Sequence, residues 1–187
     1  MRLAVLASGS GTLLDAMATA ALPIDLVMVD RHCLVEQIAA EHSLPCVVIE
    51  RTEFGSTFDR ERYTDRVLDR LSIDRIDLVA MAGWGTILSS AAFDAYPERI
   101  LNTHPSLLPA FPGWNAVEQT LAYGAKVTGC TVHVATEQVD AGPILAQEAV
   151  DVLPGDDQAT LHERIKAVER RLYVDTIRTI LQRERVS

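Results

Sequence analysis

The sequence is poor in cysteine, and no two cysteines have CxxC spacing. The residues concerned are Cys33, Cys46 and Cys130. A small, unpaired set of thiols is typical of reduced proteins in the cytoplasm rather than of secreted proteins that depend on disulfides. The apolar segment at the N-terminus is too short for the core of a signal peptide. We therefore expect a cytoplasmic protein.

Clusters of lysine and arginine are also absent, and the formal net charge is -9. Proteins that bind nucleic acid or an anionic membrane surface usually carry concentrated positive charge. In addition, no apolar run reaches the ~18 residues that would indicate a membrane span. These absences disfavour nucleic acid and membranes as partners. They leave open a small phosphorylated substrate, which needs only a local binding site.

Two kinds of catalytic motif are missing as well. Ser106 is not part of a GxSxG elbow, which disfavours a serine hydrolase. The histidines show neither HExxH spacing nor an obvious set of carboxylate partners, so we predict that the protein binds no metal.

What the sequence does contain is a regular alternation of strand-like and helix-like segments. Through about residue 102, continuous apolar runs, typical of strands buried on both faces, alternate with amphipathic segments. This alternation implies parallel strands joined by right-handed crossovers. The predicted strands are 2–7, 24–30, 45–50, 76–82 and 99–102, and the predicted helices are 13–21, 34–42, 58–71 and 89–95.

The pattern changes in the second half of the chain. After a helix predicted over 115–123, two strand-like runs at 126–136 and 143–152 are joined by a link that suits an antiparallel hairpin rather than a crossover. A long helix over 160–183 follows. The sequence therefore predicts an α/β fold in a single domain over 1–187. Its mainly parallel twisted sheet is flanked by helices and has an antiparallel strand near the C-terminal half.

The turn Ser8-Gly9-Ser10-Gly11-Thr12 lies between the first strand and the first helix. Glycines let the backbone approach a ligand, and free amides at a helix N-terminus attract anions. The turn has neither a Walker lysine nor the third glycine of a dinucleotide fingerprint, which disfavours a plain dinucleotide-binding module. The turn by itself leaves open an anion site and a tight turn without a ligand.

Polar side chains follow the fifth predicted strand. Asn102 and His104 are two residues apart, so an extended backbone places them on the same side. An amide donor beside an imidazole can stabilise a developing oxyanion and handle a proton. Asp140, at the tip of the predicted hairpin, could stabilise a protonated imidazole. The alternatives are a structural histidine and an ordinary turn aspartate, and we interpret His133 as a structural residue of the sheet.

Four segments, in order along the chain, resemble the phosphoribosylglycinamide formyltransferases of purine biosynthesis. They are Ser8-Gly9-Ser10-Gly11, Asn102-Thr103-His104-Pro105-Ser106-Leu107-Leu108-Pro109, Thr128-Gly129-Cys130-Thr131-Val132-His133 and Val139-Asp140-Ala141-Gly142. The second segment is highly specific for folate-dependent formyltransferases. The resemblance implies the formyltransferase fold. It also implies a metal-free transfer of the formyl group of 10-formyltetrahydrofolate to the amine of glycinamide ribonucleotide.

The same resemblance implies roles for individual residues. The residues implied for catalysis are Asn102, His104 and Asp140. The residues implied for substrate binding, the first three of them around the phosphate, are Gly11, Thr12, Leu13 and Glu169. The residues implied for binding the folate are Arg60, Gly85, Thr86, Ile87, Leu88 and Asn102.

The sequence departs from the family's usual pattern beside both implied sites. Leu13 stands where Asn is usual, and Gly85-Thr86 stands where Met-Arg is usual. These departures leave open another acceptor amine, such as an amino sugar, and a non-catalytic paralogue that binds folate or nucleotide. A methionyl-tRNA formyltransferase and a formyltetrahydrofolate hydrolase are disfavoured, because each normally carries a further domain. We expect two small molecules as partners, and a homodimer is compatible with the sequence.

Overall fold

Parallel strands form the sheet in the first half of the chain. The computed structural model describes residues 1–186, and one compact unit comprises Met1–Leu101. Its strands are β1 (Leu3–Ala7), β2 (Ile24–Val29), β3 (Cys46–Val48), β4 (Leu78–Met81) and the start of β5 (Ile100–His104). They lie in the order β3-β2-β1-β4-β5, and each of these pairings is parallel.

Helical segments connect these strands, since parallel strands need crossover connections. They are α1 (Thr12–Thr19), α2 (Leu34–Glu41), α3 (Arg60–Ile73) and α4 (Ser90–Ala95), with a 3₁₀ turn at Gly55–Thr57. Every residue of β1 and β4 is buried, which explains why these strands appear in the sequence as unbroken apolar runs. The polar residues that can meet a ligand therefore lie where the strands end.

Helix α3 holds the segment that follows β4. Asp59 caps the helix, because its carboxylate accepts a hydrogen bond from the N–H of Arg62 at 3.0 Å. On the buried face, the hydroxyl of Thr64 accepts a hydrogen bond from the N–H of Ser89 at 2.9 Å. Fully burying one large apolar side chain contributes about 1.5–3 kcal/mol, so this face anchors the helix. The face comprises Tyr63, Thr64, Val67 and Leu71.

The second compact unit begins at Asn102. It contains the end of β5, α5 (Ala116–Tyr123), β6 (Val127–Val134), β7 (Ile144–Asp151) and α6 (Gln158–Arg183). Its strand order is β5-β6-β7. Strands β6 and β7 pair in antiparallel fashion, with an irregularity in register between Val132 and His133. Gly129 lets them approach closely, because a Cβ at this position would lie 2.1 Å from the carbonyl oxygen of Glu148.

Helix α6 contributes to the apolar core of this second unit. The core cluster comprises Val117, Cys130, Val150, Leu161 and Ile165. At the start of the helix, Asp157 accepts a hydrogen bond from the N–H of Thr160 at 2.8 Å, and its own N–H donates to the Thr160 hydroxyl at 2.9 Å. Such a cap typically stabilises a helix by about 1 kcal/mol. It fixes the entry of the chain into the helix that carries Glu169.

The predicted fold class is confirmed: the chain is α/β, its strands are mainly parallel, and the antiparallel pair lies in the C-terminal half. Most element boundaries differ from the prediction by one or two residues, and two of these differences bear on the site. Strand β5 continues to His104, and α6 begins at Gln158, where the reciprocal cap starts it. The domain extent of 1–187 remains a prediction, and residue 187 lies outside the described residues. No helix within residues 1–186 is both long enough and apolar enough to cross a membrane.

Candidate active site

Strand β5 carries two of the predicted catalytic side chains. Asn102 and His104 alternate with Thr103, so they leave the strand on the same side. His104 is buried and Asn102 is half-buried. Pro105 follows directly and has no N–H to continue a strand ladder. Both side chains are therefore held at the very end of a strand, where the backbone is still extended.

The link between β6 and β7 brings Asp140 to His104. Asp140 has a φ of 56°, in the left-handed region that aspartate tolerates better than most residues do. Its Oδ2 lies 3.2 Å from Nδ1 of His104 and accepts a hydrogen bond from the N–H of Gly113 at 2.7 Å. The two predicted catalytic residues that sequence spacing could not join are thus in direct contact.

Both ring nitrogens of His104 face acceptors. Nδ1 faces the Asp140 carboxylate, and Nε2 lies 2.8 Å from the carbonyl oxygen of Phe111. A carbonyl oxygen and a carboxylate can only accept, whereas a neutral imidazole carries one N–H. Only the doubly protonated ring can donate at both positions, so this geometry suits an imidazolium.

His133 joins the same group of side chains, although its position in β6 led us to interpret it as structural. Its Nε2 lies 3.5 Å from Oδ1 of Asp140 and 3.4 Å from the amide nitrogen of Asn102. Its Nδ1 lies 2.9 Å from the carbonyl oxygen of Val134. The only signal in the sequence is that His133 closes one of the four segments that carry the resemblance. We call Asn102, His104, His133 and Asp140 the imidazole–carboxylate cluster.

The charge of Asp140 is maintained by its neighbours. Burial alone would raise the pKa of this carboxyl group, but the hydrogen bonds from His133 and from the Gly113 N–H, together with the proximity of His104, outweigh burial and lower the pKa. The carboxylate is therefore ionised at neutral pH and can stabilise a positive charge on an imidazole. Among residues 1–186, no group of three or more His, Cys, Asp or Glu side chains is arranged to hold a metal ion.

A separate polar contact lies on the other side of β5. The Thr103 hydroxyl donates to Oε1 of Glu169 at 3.1 Å and lies 3.1 Å from the sulfur of Cys130. Burial raises the pKa of Glu169, and the hydrogen bond from Thr103 offsets only part of that effect. Because Thr103 alternates with Asn102 and His104, the contact that fixes Glu169 is on the side of the strand opposite to the imidazole–carboxylate cluster.

The glycine turn of the first unit leads into α1. Gly11 has a φ of 72°, and a Cβ there would lie 2.6 Å from Cδ1 of Ile38, so the backbone and the packing both require glycine. The first N–H groups of a helix have no partner within it. Thr12 is exposed, whereas the Leu13 side chain is only 6% exposed. Leu13 can therefore offer a ligand its backbone N–H but not its side chain.

The predicted folate-binding segment, residues 85–88, packs beside the start of the glycine turn. The N–H of Gly85 donates to Oγ of Ser8 at 2.8 Å. The buried hydroxyl of Thr86 donates to Oδ2 of Asp30 at 2.7 Å. The structure thus joins two sites that the sequence predicted separately, and Asp30 is part of the junction.

Three side chains in or next to this segment have different environments. Ile87 is exposed and Leu88 is buried. The indole nitrogen of Trp84 is buried and has no hydrogen-bond partner in the part of the chain that the structure describes. Buried donors usually have a partner, so this N–H is a donor that a bound ligand could satisfy.

Arg60, predicted as a folate contact, is exposed at the first position of α3. Residues close to Arg60 in sequence line a cavity of about 270 Å³, but Arg60 itself is not part of the lining. The guanidinium of Arg51 lies over the rings of Phe54 and Phe58, at 4.6 and 4.2 Å from their centroids, which is a cation–π geometry. The arginines of this cavity were not among the residues predicted from the sequence; they are Arg51, Arg62 and Arg66.

Comparison with known proteins agrees with the resemblance found in the four segments. Residues 1–177 match the formyl transferase family. A phosphoribosylglycinamide formyltransferase of Mycobacterium tuberculosis (strain ATCC 25618 / H37Rv) is 45% identical over 181 residues, which cover 94% of this chain and 83% of the relative. The corresponding protein of Bacillus subtilis (strain 168) is 31% identical over 188 residues, which cover 96% of this chain and 94% of the relative.

The solved structures point in the same direction. The crystal structure of phosphoribosylglycinamide formyltransferase from Bacillus halodurans is 38% identical in sequence to this chain. It matches with a TM-score of 0.90, over 97% of this chain and 95% of that chain. The predicted family is thus confirmed by sequence and by fold. The chain belongs to the formyl transferase family.

Proposed function

We propose that this enzyme transfers the formyl group of 10-formyltetrahydrofolate to the amine of glycinamide ribonucleotide, a step of purine biosynthesis. The observation that carries the proposal is the contact between His104 and Asp140, beside Asn102, in a chain of the formyl transferase family. The relatives from M. tuberculosis and B. subtilis carry the name of this activity.

In this proposal His104 and Asn102 stabilise the charge that develops during transfer. As the amine attacks, negative charge accumulates on the formyl oxygen. In this step the Nε2–H of His104 gives up its hydrogen bond to the Phe111 carbonyl and donates to the formyl oxygen instead. The amide of Asn102 provides a second donor. One preorganised donor of this kind typically contributes roughly 3 kcal/mol to the stability of a transition state.

Asp140 keeps the proton on His104. Its carboxylate is fixed by the Gly113 N–H and lies 3.2 Å from Nδ1 of the imidazole. A proton must also move from the attacking amine to the nitrogen that leaves, and His104 is the titratable group that we propose to mediate this movement. The reaction in this form needs no metal and no covalent intermediate with the protein.

The proposal assigns binding roles to several segments of the chain. The folate supplies the formyl group. For its site, the Gly85–Leu88 main chain is fixed by Ser8 and Asp30, and the indole N–H of Trp84 has no partner among the described residues, so the segment fits a polar heterocycle. We assign the substrate phosphate to the free amides at Gly11, Thr12 and Leu13. A folate contact of Arg60 and a substrate contact of Glu169 are part of the same proposal.

The proposal includes the setting of the reaction. We propose two small molecules as the partners, with neither nucleic acid nor membrane involved, and a cytoplasmic location. The acidic net charge of -9 supports the exclusion of polyanionic partners, because such partners require concentrated positive charge. A homodimer is the oligomeric state that we would test first.

A spectrophotometric assay tests the function directly. The enzyme is mixed with 10-formyl-5,8-dideazafolate and glycinamide ribonucleotide, and the absorbance of the deformylated product is followed. We expect turnover that depends on this acceptor, and much slower turnover with an amino sugar. Turnover with the amino sugar but not with glycinamide ribonucleotide would show that the acceptor is an amino sugar. No turnover with either amine would support a paralogue without this activity.

The role of His104 has its own test. We expect His104→Ala to lower kcat by about 100- to 1,000-fold, the effect of removing one oxyanion donor, while glycinamide ribonucleotide still binds, as measured by calorimetry. His162→Ala is the matched control, because His162 is a half-buried histidine in the first turns of α6 and should leave kcat unchanged. A kcat within threefold of wild type for His104→Ala would remove this residue from the mechanism.

A further inference from the structure

Asp30 is a fully buried carboxylate outside the imidazole–carboxylate cluster. It follows β2 directly and has 0% exposure. Arg31 donates to both carboxylate oxygens, from Nε at 2.9 Å and from Nη2 at 3.0 Å. Thr86 donates to Oδ2 at 2.7 Å. A buried charge is expensive unless hydrogen bonds satisfy it, and here donors from Arg31 and Thr86 converge on one carboxylate.

The register of the sheet explains why these groups meet. Residues Ala7 and Val29 are partners at the ends of β1 and β2, so the next residues, Ser8 and Asp30, leave the sheet side by side. Strand β4 pairs with the other edge of β1, and the segment that follows β4 carries Thr86. The carboxyl ends of neighbouring parallel strands form the usual ligand-binding edge of such a sheet.

The carboxylate keeps its charge in this buried position. Burial alone would raise the pKa of Asp30, but the hydrogen bonds from Arg31, Thr86 and Ser8 outweigh it and lower the pKa. Ser8 in turn accepts the N–H of Gly85 at 2.8 Å. A charged acceptor therefore joins the start of the glycine turn to the main chain at residues 85 and 86.

The place of Arg31 adds to this junction. A Cβ built on Gly85 would lie 3.5 Å from Nη2 of Arg31 and 3.7 Å from Oγ of Ser8. The guanidinium and the hydroxyl thus flank the backbone of Gly85, and both are oriented by Asp30. Loss of the carboxylate would release Arg31 and Thr86 together, so the backbone between Gly83 and Leu88 would lose its main polar anchor.

We propose that Asp30 is a positioning residue for the folate: by holding Thr86 and Arg31 beside Gly85, it fixes the main chain that binds the folate. This inference rests on the proposed function above, because it takes the assignment of Gly85–Leu88 to the folate from there. Asp30 acts through its neighbours and does not touch the reacting atoms.

Steady-state kinetics of Asp30→Asn and Thr86→Val test the inference. We expect KM for 10-formyl-5,8-dideazafolate to rise about 30-fold in Asp30→Asn and about 10-fold in Thr86→Val, since a hydrogen bond to a charged group is among the stronger ones. Both kcat and KM for glycinamide ribonucleotide should change by less than about threefold. Thr86→Ser keeps the hydroxyl, so its KM for the folate should equal that of the wild type.

Two further measurements separate positioning from general destabilisation. Asp25 lies at the other end of β2 and forms an ion pair with Arg2 at 3.2 Å, so Asp25→Asn removes a comparable charge from the same strand and should leave the folate KM unchanged. The double variant that combines Asp30→Asn with Thr86→Val should have a folate KM no higher than that of Asp30→Asn alone, because both substitutions remove the same hydrogen bond.

The outcomes separate this inference from the proposed function. A wild-type enzyme without acceptor-dependent turnover contradicts the proposed function, and calorimetric Kd values for 5,8-dideazafolate then test the inference without turnover. Normal wild-type turnover with an unchanged folate KM in Thr86→Val and Asp30→Asn overturns the inference alone. An equal rise of KM for both substrates also overturns it. If Asp30→Asn does not fold, the comparison of Thr86→Val with Thr86→Ser decides.

Discussion

Neutralising Asp140 is the sharpest test of the imidazole–carboxylate cluster. In Asp140→Asn, the side chain keeps its shape and can still accept the N–H of Gly113, which it receives at 2.7 Å. What is lost is the negative charge, which lies 3.2 Å from Nδ1 of His104 and 3.5 Å from Nε2 of His133. The substitution therefore removes the electrostatic support of the imidazolium with little change in packing.

The expected magnitude follows from the geometry. Opposite unit charges about 4 Å apart attract by about 4 kcal/mol at an effective dielectric constant near 20, and the separation of His104 and Asp140 places their charge centres at about this distance. The amide retains one accepted hydrogen bond, which is worth about 1 kcal/mol. The difference of about 3 kcal/mol corresponds to a loss of roughly 100-fold in kcat.

The assay is kcat of wild type and Asp140→Asn between about pH 8 and about pH 6, the range in which imidazoles usually titrate. Asp156→Asn is the matched control. Asp156 pairs with Arg164 in the same unit, with a side chain that is 5% exposed, so its loss should lower Tm and leave kcat unchanged. A kcat for Asp140→Asn within threefold of wild type across this range would refute the proposed role of the charge.

Two further predictions concern the backbone of the glycine turn and the thiols. Gly11→Ala should lose about 1–2 kcal/mol of stability, because its backbone is left-handed, and its Tm should fall by roughly 3–6 °C. Gly9→Ala is the control and should melt like wild type, since a Cβ at this position has nothing within 4 Å. Equal melting temperatures of the two variants would contradict this prediction. Burial raises the pKa of Cys130 to about 12 and that of Cys46 to about 11, so iodoacetamide at about pH 8 should alkylate both far more slowly in the folded protein than in urea, since the thiolate is the reactive form. Peptide mass spectrometry measures this difference, and similar rates in both states would show that the thiols are not protected.

The fold could be predicted from the sequence because its signals are local. The apolar runs 2–7 and 76–82 have the pattern of strands that are buried on both faces. These runs correctly predicted β1 and β4. The hairpin followed from the short link between two strand-like runs. The ends of β5 and α6 were less predictable, since β5 extends through polar residues up to His104 and α6 begins at a reciprocal cap between side chains. Such ends depend on individual hydrogen bonds more than on hydrophobic pattern.

The candidate site was predictable only where its residues lie close in sequence. Asn102 and His104 share one strand end, so alternation was enough to place them together. Contacts between distant parts of the chain, such as the one between His104 and Asp140, need the register of strands and the conformation of links. His133 and Asp30 were missed for this reason. A histidine within a strand, or an aspartate at a strand end, carries no local signal of the partners that the fold brings to it.

The sharing of one carboxylate by two imidazoles decides which of them carries the charge. Two imidazolium rings beside Asp140 would place two positive charges against one negative charge in a buried site, which is unfavourable. Nδ1 of His104 lies 3.2 Å from Oδ2 of Asp140, whereas Nε2 of His133 lies 3.5 Å from Oδ1 of Asp140 and 3.4 Å from the amide nitrogen of Asn102. His104 makes the shorter contact with the carboxylate, so the geometry favours His104 as the charged ring. Asp140 thus holds His104 directly and reaches Asn102 through His133, so one carboxylate positions both donors of the cluster.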